Sequence, residues 1–317
     1  MRDGRNIYRY RPNLMDPLSD FLMLMRPCDY GFRGLDAAGD WALAFTASDG
    51  VLCFAIETGG CWLRLADAAA PTRLEAGDVV LLTGGGAVQL YSGETAESLD
   101  AQAFLSQVPP GEVATLNGGG ECRGIGGYFG LEGTDGRGLL AAIPPVVHVH
   151  SATSKTALYS GVKRLMSELR DPRPGSELIA SHLAQALLVE ALRAHLENAT
   201  ASQGWLAALS VPTLRRALTA MHADVARRWT LQDLAAVAGM SRSSFAARFE
   251  QVTGQTPIAY LTRWRMFLAA DRLAKSGRSL ADVAASVGYE SESAFGSAFK
   301  RVMNFSPRQY RTRSSTR

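Results

Sequence analysis

A chain of 317 residues, 47% of them hydrophobic, is long enough for two ordinary domains, each with a core of its own. No apolar stretch reaches the roughly 18 residues of a membrane span, and Met1–Asp16 is polar and Arg-rich, unlike a secretory signal, so a cytoplasmic protein with no membrane partner is expected. The net charge of +3 hides an asymmetry: Gly204–Arg317 holds 17 Lys and Arg against 7 Asp and Glu, leaving 16 against 23 in the front of the chain. A basic C-terminal part attracts phosphates, and an acidic front avoids the same polymer.

Residues 17 to about 147 read as short β runs between glycine-rich turns. The candidates are Trp41–Phe45, Val51–Ile56, Cys61–Leu65 and Val79–Leu82, with turns at Ser48-Asp49-Gly50, Gly59-Gly60 and Gly84-Gly85-Gly86. Many short strands at this spacing predict a sandwich or barrel. Cys28, Cys53, Cys61 and Cys122 show no metal-like spacing. A hairpin turning at Gly59-Gly60 would pair Ile56 with Cys61 and place Cys53 on the opposite sheet face. No Cys53–Cys61 disulfide is therefore expected, and the thiols read as buried and reduced. His148 and His150 are two apart on a predicted strand, which is half a metal site at most; hydrogen-bonded or solvated histidines are the reading taken, with no metal and no cofactor.

Two helices follow, Thr156–Arg170 and Ser176–Asn198, broken by Asp171-Pro172-Arg173-Pro174-Gly175. Leu178, Leu183, Leu187, Leu188, Leu192 and Leu196 recur near helical spacing in the second. Such an apolar pair is commonly core and is also a natural homodimer surface. The polar run Glu197–Gly204 reads as an interdomain linker. The domains are therefore 1–150 for the strand-rich part, 151–198 for the helical segment and 204–317 for the basic part.

That last part repeats one pattern twice. Leu231, Asp233, Ala235 and Gly239 recur as Leu280, Asp282, Ala284 and Gly288, and Phe245, Phe249, Pro257 and Tyr260 recur as Phe295, Phe299, Pro307 and Tyr310. The offset grows from 49 to 50 between the two sets, so the second turn is one residue longer. Thr230 with Asp233, and Ser279 with Asp282, have N-cap spacing. Gly239 and Gly288 suit the left-handed turn between paired helices. Each copy thus predicts a helix-turn-helix unit, a DNA-reading device, with recognition helices starting near Ser241 and Ser291 and a helix from Pro257 to about Lys275 joining the units. In the second recognition helix Phe295, Phe299 and Val302 face inward, while Ser293, Ser297 and Lys300 face out, flanked by Glu292 and Arg301. In the first, Phe245, Phe249 and Val252 face inward. Ser243, Ala247 and Glu250 face out, with Ala246 at the edge, and Arg242 and Arg248 suit phosphates better than base edges. Neither Ala nor Ser makes a bidentate purine contact, so the second unit is expected to supply more of the polar base readout. The candidate DNA-binding residues are Ser241, Arg242, Ser243, Ala246, Ala247, Arg248, Ser291, Glu292, Ser293, Ser297, Lys300 and Arg301.

The second unit resembles the hallmark region of the AraC/XylS family of bacterial transcription regulators. The resemblance is carried by Val283-Ala284, Val287-Gly288-Tyr289-Glu290-Ser291, Ala294-Phe295, Ala298-Phe299-Lys300-Arg301, Ser306-Pro307 and Tyr310-Arg311. It departs at Gly296-Ser297, where many relatives carry a polar or basic pair. The front of the chain is similar to the cupin-type sensor of one branch of that family, through Asp16-Pro17-Leu18-Ser19, Gly59, Cys61-Trp62-Leu63, Leu74, Ala76-Gly77-Asp78-Val79-Val80-Leu81-Leu82 and Pro144-Pro145-Val146-Val147-His148-Val149. Where related cupins carry metal-type histidines this chain has Phe54 and Val88, and Thr83-Gly84-Gly85-Gly86 replaces a Pro-containing turn.

The resemblance implies an α+β two-domain chain: a cupin-like β-barrel or sandwich with a helical dimerisation segment, then an all-α domain with two helix-turn-helix units. It also implies a sequence-specific, effector-responsive activator that binds double-stranded promoter DNA as a homodimer and works with RNA polymerase. The effector, a small molecule or a redox signal, would meet candidates among Trp41, Phe45, Cys53, Phe54, Cys61, Trp62 and Tyr128. An enzyme is not expected. The alternatives are a cupin-type enzyme fused to a DNA-binding domain, and a cysteine-based redox-responsive regulator.

Overall fold

A computed structural model of the chain describes residues 16–25, 27–47, 50–93, 96–131, 140, 143–149, 152–198, 204–275 and 277–315. Ser48 and Asp49 of one predicted turn, His150, and 199–203 of the predicted linker lie outside the described residues. The fold is α+β, in two compact units. One runs Met25–Ser210, and the other joins the residues up to Leu24 to Val211 and beyond.

In the Met25–Ser210 unit, eleven strands among the described residues form two sheets. They are β1 (Pro27–Ala37), β2 (Ala42–Phe45), β3 (Val51–Thr58), β4 (Gly60–Leu65), β5 (Thr72–Glu75), β6 (Val79–Leu82), β7 (Val88–Tyr91), β8 (Ser98–Asp100), β9 (Val113–Leu116), β10 (Cys122–Leu131) and β11 (Val146–Val149). The six-stranded sheet has the order β11-β6-β3-β10-β1-β9 and the five-stranded sheet β5-β4-β7-β2-β8. Their apolar core includes Phe54, Ile56, Val80 and Leu82 from the first sheet and Leu43, Leu63, Leu74 and Leu90 from the second.

The predicted hairpin at Gly59-Gly60 is not formed. β3 pairs with β6 and β10, whereas β4 pairs with β5 and β7. The chain leaves one sheet for the other at Gly59, whose φ is +70° and whose Cβ, if present, would lie 2.0 Å from the Glu121 carbonyl oxygen. Cys61 consequently faces Leu74 across the ladder and not Ile56. Cys53 and Cys61 are free thiols all the same, and they belong to different sheets.

The short helix α2 (Ala101–Leu105) follows β8, and the long helices α3 (Ala152–Arg170) and α4 (Ser176–Asn198) lie against β1, β6 and β11. With a core on one side and helices on the other, β6 is buried at every residue, which explains its unbroken Val-Val-Leu-Leu run. Of the leucines picked out in α4, Leu187, Leu188 and Leu192 are buried, Leu183 and Leu196 are half-buried and Leu178 is exposed. The break between the helices is fixed by Ser176 Oγ, which donates to Glu168 Oε2 at 2.6 Å and accepts from the Arg173 amide at 2.8 Å. A last short helix, α5 (Trp205–Ser210), closes this unit.

The other unit is helical throughout its described residues: α1 (Pro17–Met25, its last residue counted with the sheets), α6 (Pro212–Ala223), α7 (Leu231–Ala238), α8 (Arg242–Thr253), α9 (Pro257–Lys275), α10 (Leu280–Ser286), α11 (Glu292–Met303) and α12 (Pro307–Ser315). Helix α1 corrects the reading of β runs from residue 17 onward. Its start is written in Asp16-Pro17: Asp16 Oδ1 accepts from the Leu18 and Ser19 amides at 3.1 and 3.0 Å, and proline is favoured in a first turn. Asp20 Oδ2 of α1 lies 3.0 Å from His222 Nδ1 of α6, and His222 Nε2 lies 2.7 Å from the Tyr260 hydroxyl of α9. The imidazole also stacks on Trp264 at 4.2 Å between centroids. Burial, opposed by Asp20, pulls the His222 pKa below its ordinary value. A neutral ring that donates from Nδ1 to Asp20 and accepts at Nε2 from Tyr260 satisfies all three groups.

Candidate nucleic-acid interface

The duplication read in the sequence is a duplication in space. In the first unit Thr230 and Asp233 form a reciprocal capping box at the head of α7. In the second, Ser279 Oγ accepts from the Asp282 amide at 3.1 Å at the head of α10. The turns close alike: Met240 N donates to the Ala235 carbonyl at 2.9 Å, and Tyr289 N to the Ala284 carbonyl at 3.0 Å. Gly239 has φ +70° and Gly288 φ +82°. A Cβ at Gly288 would lie 2.4 Å from the Ala226 carbonyl oxygen, so only glycine fits there.

The recognition helices α8 and α11 begin with Ser241 and Ser291 as N-caps, accepting from the Ser244 and Ala294 amides. Both helices are then anchored by the same aromatic set. Phe245 and Phe249 are 5.7 Å apart between centroids, with Tyr260 5.9 Å beyond; Phe295 and Phe299 are 5.6 Å apart, with Tyr310 5.6 Å beyond. All four phenylalanines are fully buried. This anchoring decides which face is left to solvent. Ser241, Arg242, Ser243, Ala247 and Arg248 are exposed on α8, with Ala246 half-buried; Ser291, Glu292, Ser293, Ser297, Lys300 and Arg301 are exposed on and before α11. Val252 and Val302 are half-buried, and Ala298 and Met303 complete the buried side of α11.

Several cations of this unit are engaged by backbone carbonyls, which the charge count did not foresee. Arg216 Nη2 donates to the Ala238 carbonyl at the end of α7 at 2.6 Å, and Arg272 Nη1 to the Ser286 carbonyl at the end of α10 at 2.8 Å. Arg265 bonds the Val225 and Arg227 carbonyls at 2.9 and 2.7 Å, and Arg311 the Arg278 carbonyl at 2.7 Å. Arginine at a helix C-terminus satisfies orphan carbonyls and the negative end of the dipole. On the recognition helices Arg248 is held by Gln251 at 2.9 Å, whereas no described group bonds the side chain of Arg242 or Lys300.

Residues 16–197 match the family described as Cupin, and residues 234–313 the family described as Helix-turn-helix domain. The chain is 40% identical over 299 residues to a putative AraC-like transcription regulator of Streptomyces lividans, covering 94% of this chain and 98% of that one. The chain belongs to the AraC family of transcription regulators. Another relative, the HTH-type transcriptional regulator AlkR of Acinetobacter baylyi, is 32% identical over 87% of this chain and 92% of its own length. The RCS-specific HTH-type transcriptional activator RclR of Escherichia coli is 28% identical over 94% and 98%. Among solved structures, the DNA-binding domain of AdpA in complex with a target DNA is 31% identical over 32% of this chain and 90% of that one, with a TM-score of 0.31. The expectations of an AraC-type, DNA-binding regulator with a cupin-like N-terminal region are met.

In the sheet unit, the effector candidates do not form one group. Trp41, Phe45, Phe54 and Cys61 line a common interior void of about 40 Å³, whereas Cys53, Trp62 and Tyr128 are not among its walls. Phe45 and Phe54 pack edge to face at 5.1 Å, Trp62 carries Arg73 over its ring at 5.4 Å, and Tyr128 is exposed. Phe54 and Val88, where related cupins were expected to hold histidines, both belong to the apolar core. His148 Nε2 lies 3.4 Å from Asp78 Oδ2, and Lys155 Nζ 2.6 Å from Asp78 Oδ1. Burial would raise the Asp78 pKa, but the Lys155 bond, the Glu75 amide and the His148 charge together hold it below its ordinary value. The described residues gather no three His, Cys, Asp or Glu groups able to hold a metal.

Sequence reasoning missed one thiol pair. Cys61 and Cys122 line the same void. Their interaction, with Arg73 nearby, pulls the Cys122 thiol below its ordinary pKa against the effect of burial. The same interaction and burial push Cys61 up. Cys53 is raised to about 12 by burial alone. The pairing joins β4 to β10 across 61 positions of sequence, and no local spacing signals it.

Proposed function

We propose that this AraC-family chain is an effector-responsive activator that binds double-stranded promoter DNA as a homodimer and meets RNA polymerase there. Residues 204–317 read the DNA, 1–150 sense the effector and 151–198 dimerise. The observation that carries the reading is the pair of serine-capped helices, each turned outward by the same Phe-Phe-Tyr anchor, with Arg242 and Lys300 left unengaged. Ser241, Arg242, Ser243, Ala246, Ala247 and Arg248 contribute shape and phosphate contacts. Ser291, Glu292, Ser293, Ser297, Lys300 and Arg301 contribute the polar base contacts.

The effector is a small molecule or an oxidant, the second in keeping with Cys61 and Cys122 lining one void. Exposed Leu178 and Ile179 at the head of α4 favour the helical segment as the dimer contact. The apolar packing of Phe54 and Val88 favours a regulator over a cupin enzyme, and a cytoplasmic site suits its DNA target. No helix among the described residues is long and apolar enough to cross a membrane.

Selection of genomic fragments by the purified full-length protein, followed by sequencing, tests the reading. A few promoters sharing a two-part motif are expected. Recovery of bulk DNA without enrichment, across effector candidates and oxidants, would overturn it.

A further inference from the structure

The interior of the sheet unit is filled. The void among Trp41, Phe54 and Cys61 measures about 40 Å³, room for a few waters and far below the roughly 300–1,000 Å³ of ligand pockets. A second cavity, at the end of the same sheets, measures about 410 Å³. Its floor is made by Leu52, Leu65 and Val146, half-buried side chains packed on the core, with Leu82 and Pro145 at the wall. Its rim is the Gly84-Gly85-Gly86 turn, the segment that replaces a Pro-containing turn of related cupins, facing Asp67.

Three glycines in a row leave this rim without side chains. A Cβ on Gly84 would lie 3.1 Å from Pro145 Cβ. On Gly86 the nearest heavy atom would be Asp67 Oδ2 at 3.9 Å, and the backbone there is not left-handed, so a side chain at 86 has room to enter the cavity. Asp67 is exposed, and no described group bonds its carboxylate. An apolar floor with one open carboxylate at the rim complements an apolar body carrying one positive charge.

We propose that this cavity, and not the filled interior, is the ligand site of the sheet unit, and that it takes a small amphiphilic cation such as an alkyl- or arylalkylammonium. The assignment rests on reading the sheet unit as an effector sensor. The alkyl part covers Leu52, Leu65 and Val146, and the ammonium group sits against Asp67.

The test is titration calorimetry of the full-length protein with octylammonium, octanol and octanoate below their micellar concentrations. Octylammonium is expected to bind more tightly than octanol, and octanoate most weakly. Gly86→Leu, which fills the cavity, is expected to weaken octylammonium by about tenfold or more, equivalent to about 1.4 kcal/mol. Asp67→Asn, an exposed change that leaves packing untouched, is expected to erase the preference for octylammonium over octanol. Absence of octylammonium binding overturns the proposal, as does unchanged binding in both variants. Promoter enrichment without octylammonium binding would remove the cavity assignment and leave the regulator reading standing. Octylammonium binding lost in Gly86→Leu, with no promoter enriched in its presence or absence, would uphold the cavity and remove the regulator reading.

Discussion

Replacing His222 with Phe keeps the shape that stacks on Trp264 and removes both ring nitrogens. Asp20, 9% exposed, then loses the partner held at 3.0 Å, and the Tyr260 hydroxyl loses its acceptor at 2.7 Å. A hydrogen bond to a charged group contributes about 1.5–3 kcal/mol, and a stranded buried hydroxyl costs about 1–3. A total of about 3–5 kcal/mol is expected, the range found when one partner of a buried pair is removed. Helix α1 reports the loss most directly. It has nine residues, fewer than the roughly 12–15 at which an isolated helix becomes even marginal, so its amides owe their protection to tertiary contacts. In hydrogen exchange followed by mass spectrometry, peptides covering 17–25 of His222→Phe are expected to exchange about 100-fold faster, the equivalent of about 3 kcal/mol. Adding Asp20→Asn removes the stranded charge and is expected to return about 1–2 kcal/mol. Wild-type exchange of these peptides in a folded His222→Phe protein would refute the reasoning, since α1 would then be held without Asp20.

The lowered pKa of His222 gives a stabilisation that is complete above pH 6.5, its unperturbed value, and is lost as pH falls from there toward the folded value; melting curves at pH 7.5 and 5.5 should therefore show wild type losing its advantage over His222→Phe at the lower pH. Gly288→Ala forces a Cβ to within 2.4 Å of the Ala226 carbonyl at φ +82° and is expected to cost at least about 1–2 kcal/mol, read as a fall in the melting temperature of the helical unit; an unchanged value would mean that the turn relaxes freely. Arg242→Ala, which removes a phosphate contact, is expected to lower the slope of log affinity against log salt by about 0.9 per DNA-bound chain, whereas Lys300→Ala and Ser293→Ala are expected to alter sequence preference more than Ala247→Ser does; equal effects would end the division of labour between the two units. In a Cys28→Ser background, diamide, which oxidises two thiols to a disulfide and is itself reduced to the hydrazide, is expected to remove 2 Da (about two protons' mass) in intact-mass spectra; the loss should vanish in Cys61→Ser and Cys122→Ser and persist in Cys53→Ser.

The helical unit was legible because its instructions are local. Caps, left-handed glycines and the inward Phe pair all lie within one or two turns of the residues they organise, and duplication let each copy confirm the other. The sheets were less legible. The long pairing of β1 with β10 joins Tyr30 to Phe129 and Leu35 to Gly124, and β10 carries glycine where an alternating apolar pattern would have announced a strand. At Gly59-Gly60 the turn residues were read correctly and the destination wrongly. A left-handed glycine specifies that the chain bends, and only the distant partners β6, β10, β5 and β7 decide whether it folds back or crosses to the other sheet. Helix α1 was missed for the opposite reason: its cap was local and plain, but its short length gave too little periodicity to set against the strands that follow.

The same contrast applies to charge. Counting 17 cations in Gly204–Arg317 treats each as available to a phosphate, yet Arg216 and Arg272 occupy equivalent places in the two units, each bonded to the end of the first helix of its pair. Those bonds are part of how the turn is built, since a helix end left without partners strands its carbonyls. Their removal would disturb the angle at which the recognition helix is presented before it changed the number of phosphate contacts. Arg242, Arg248, Lys300 and Arg301 differ in kind: their side chains bond no described helix-end carbonyl, and they sit on helices whose other face is committed to phenylalanine. The fold thus divides one basic composition into arginines that hold the reading heads and cations that the reading heads hold out. That division, more than the net charge, gives this domain a defined face to set against DNA.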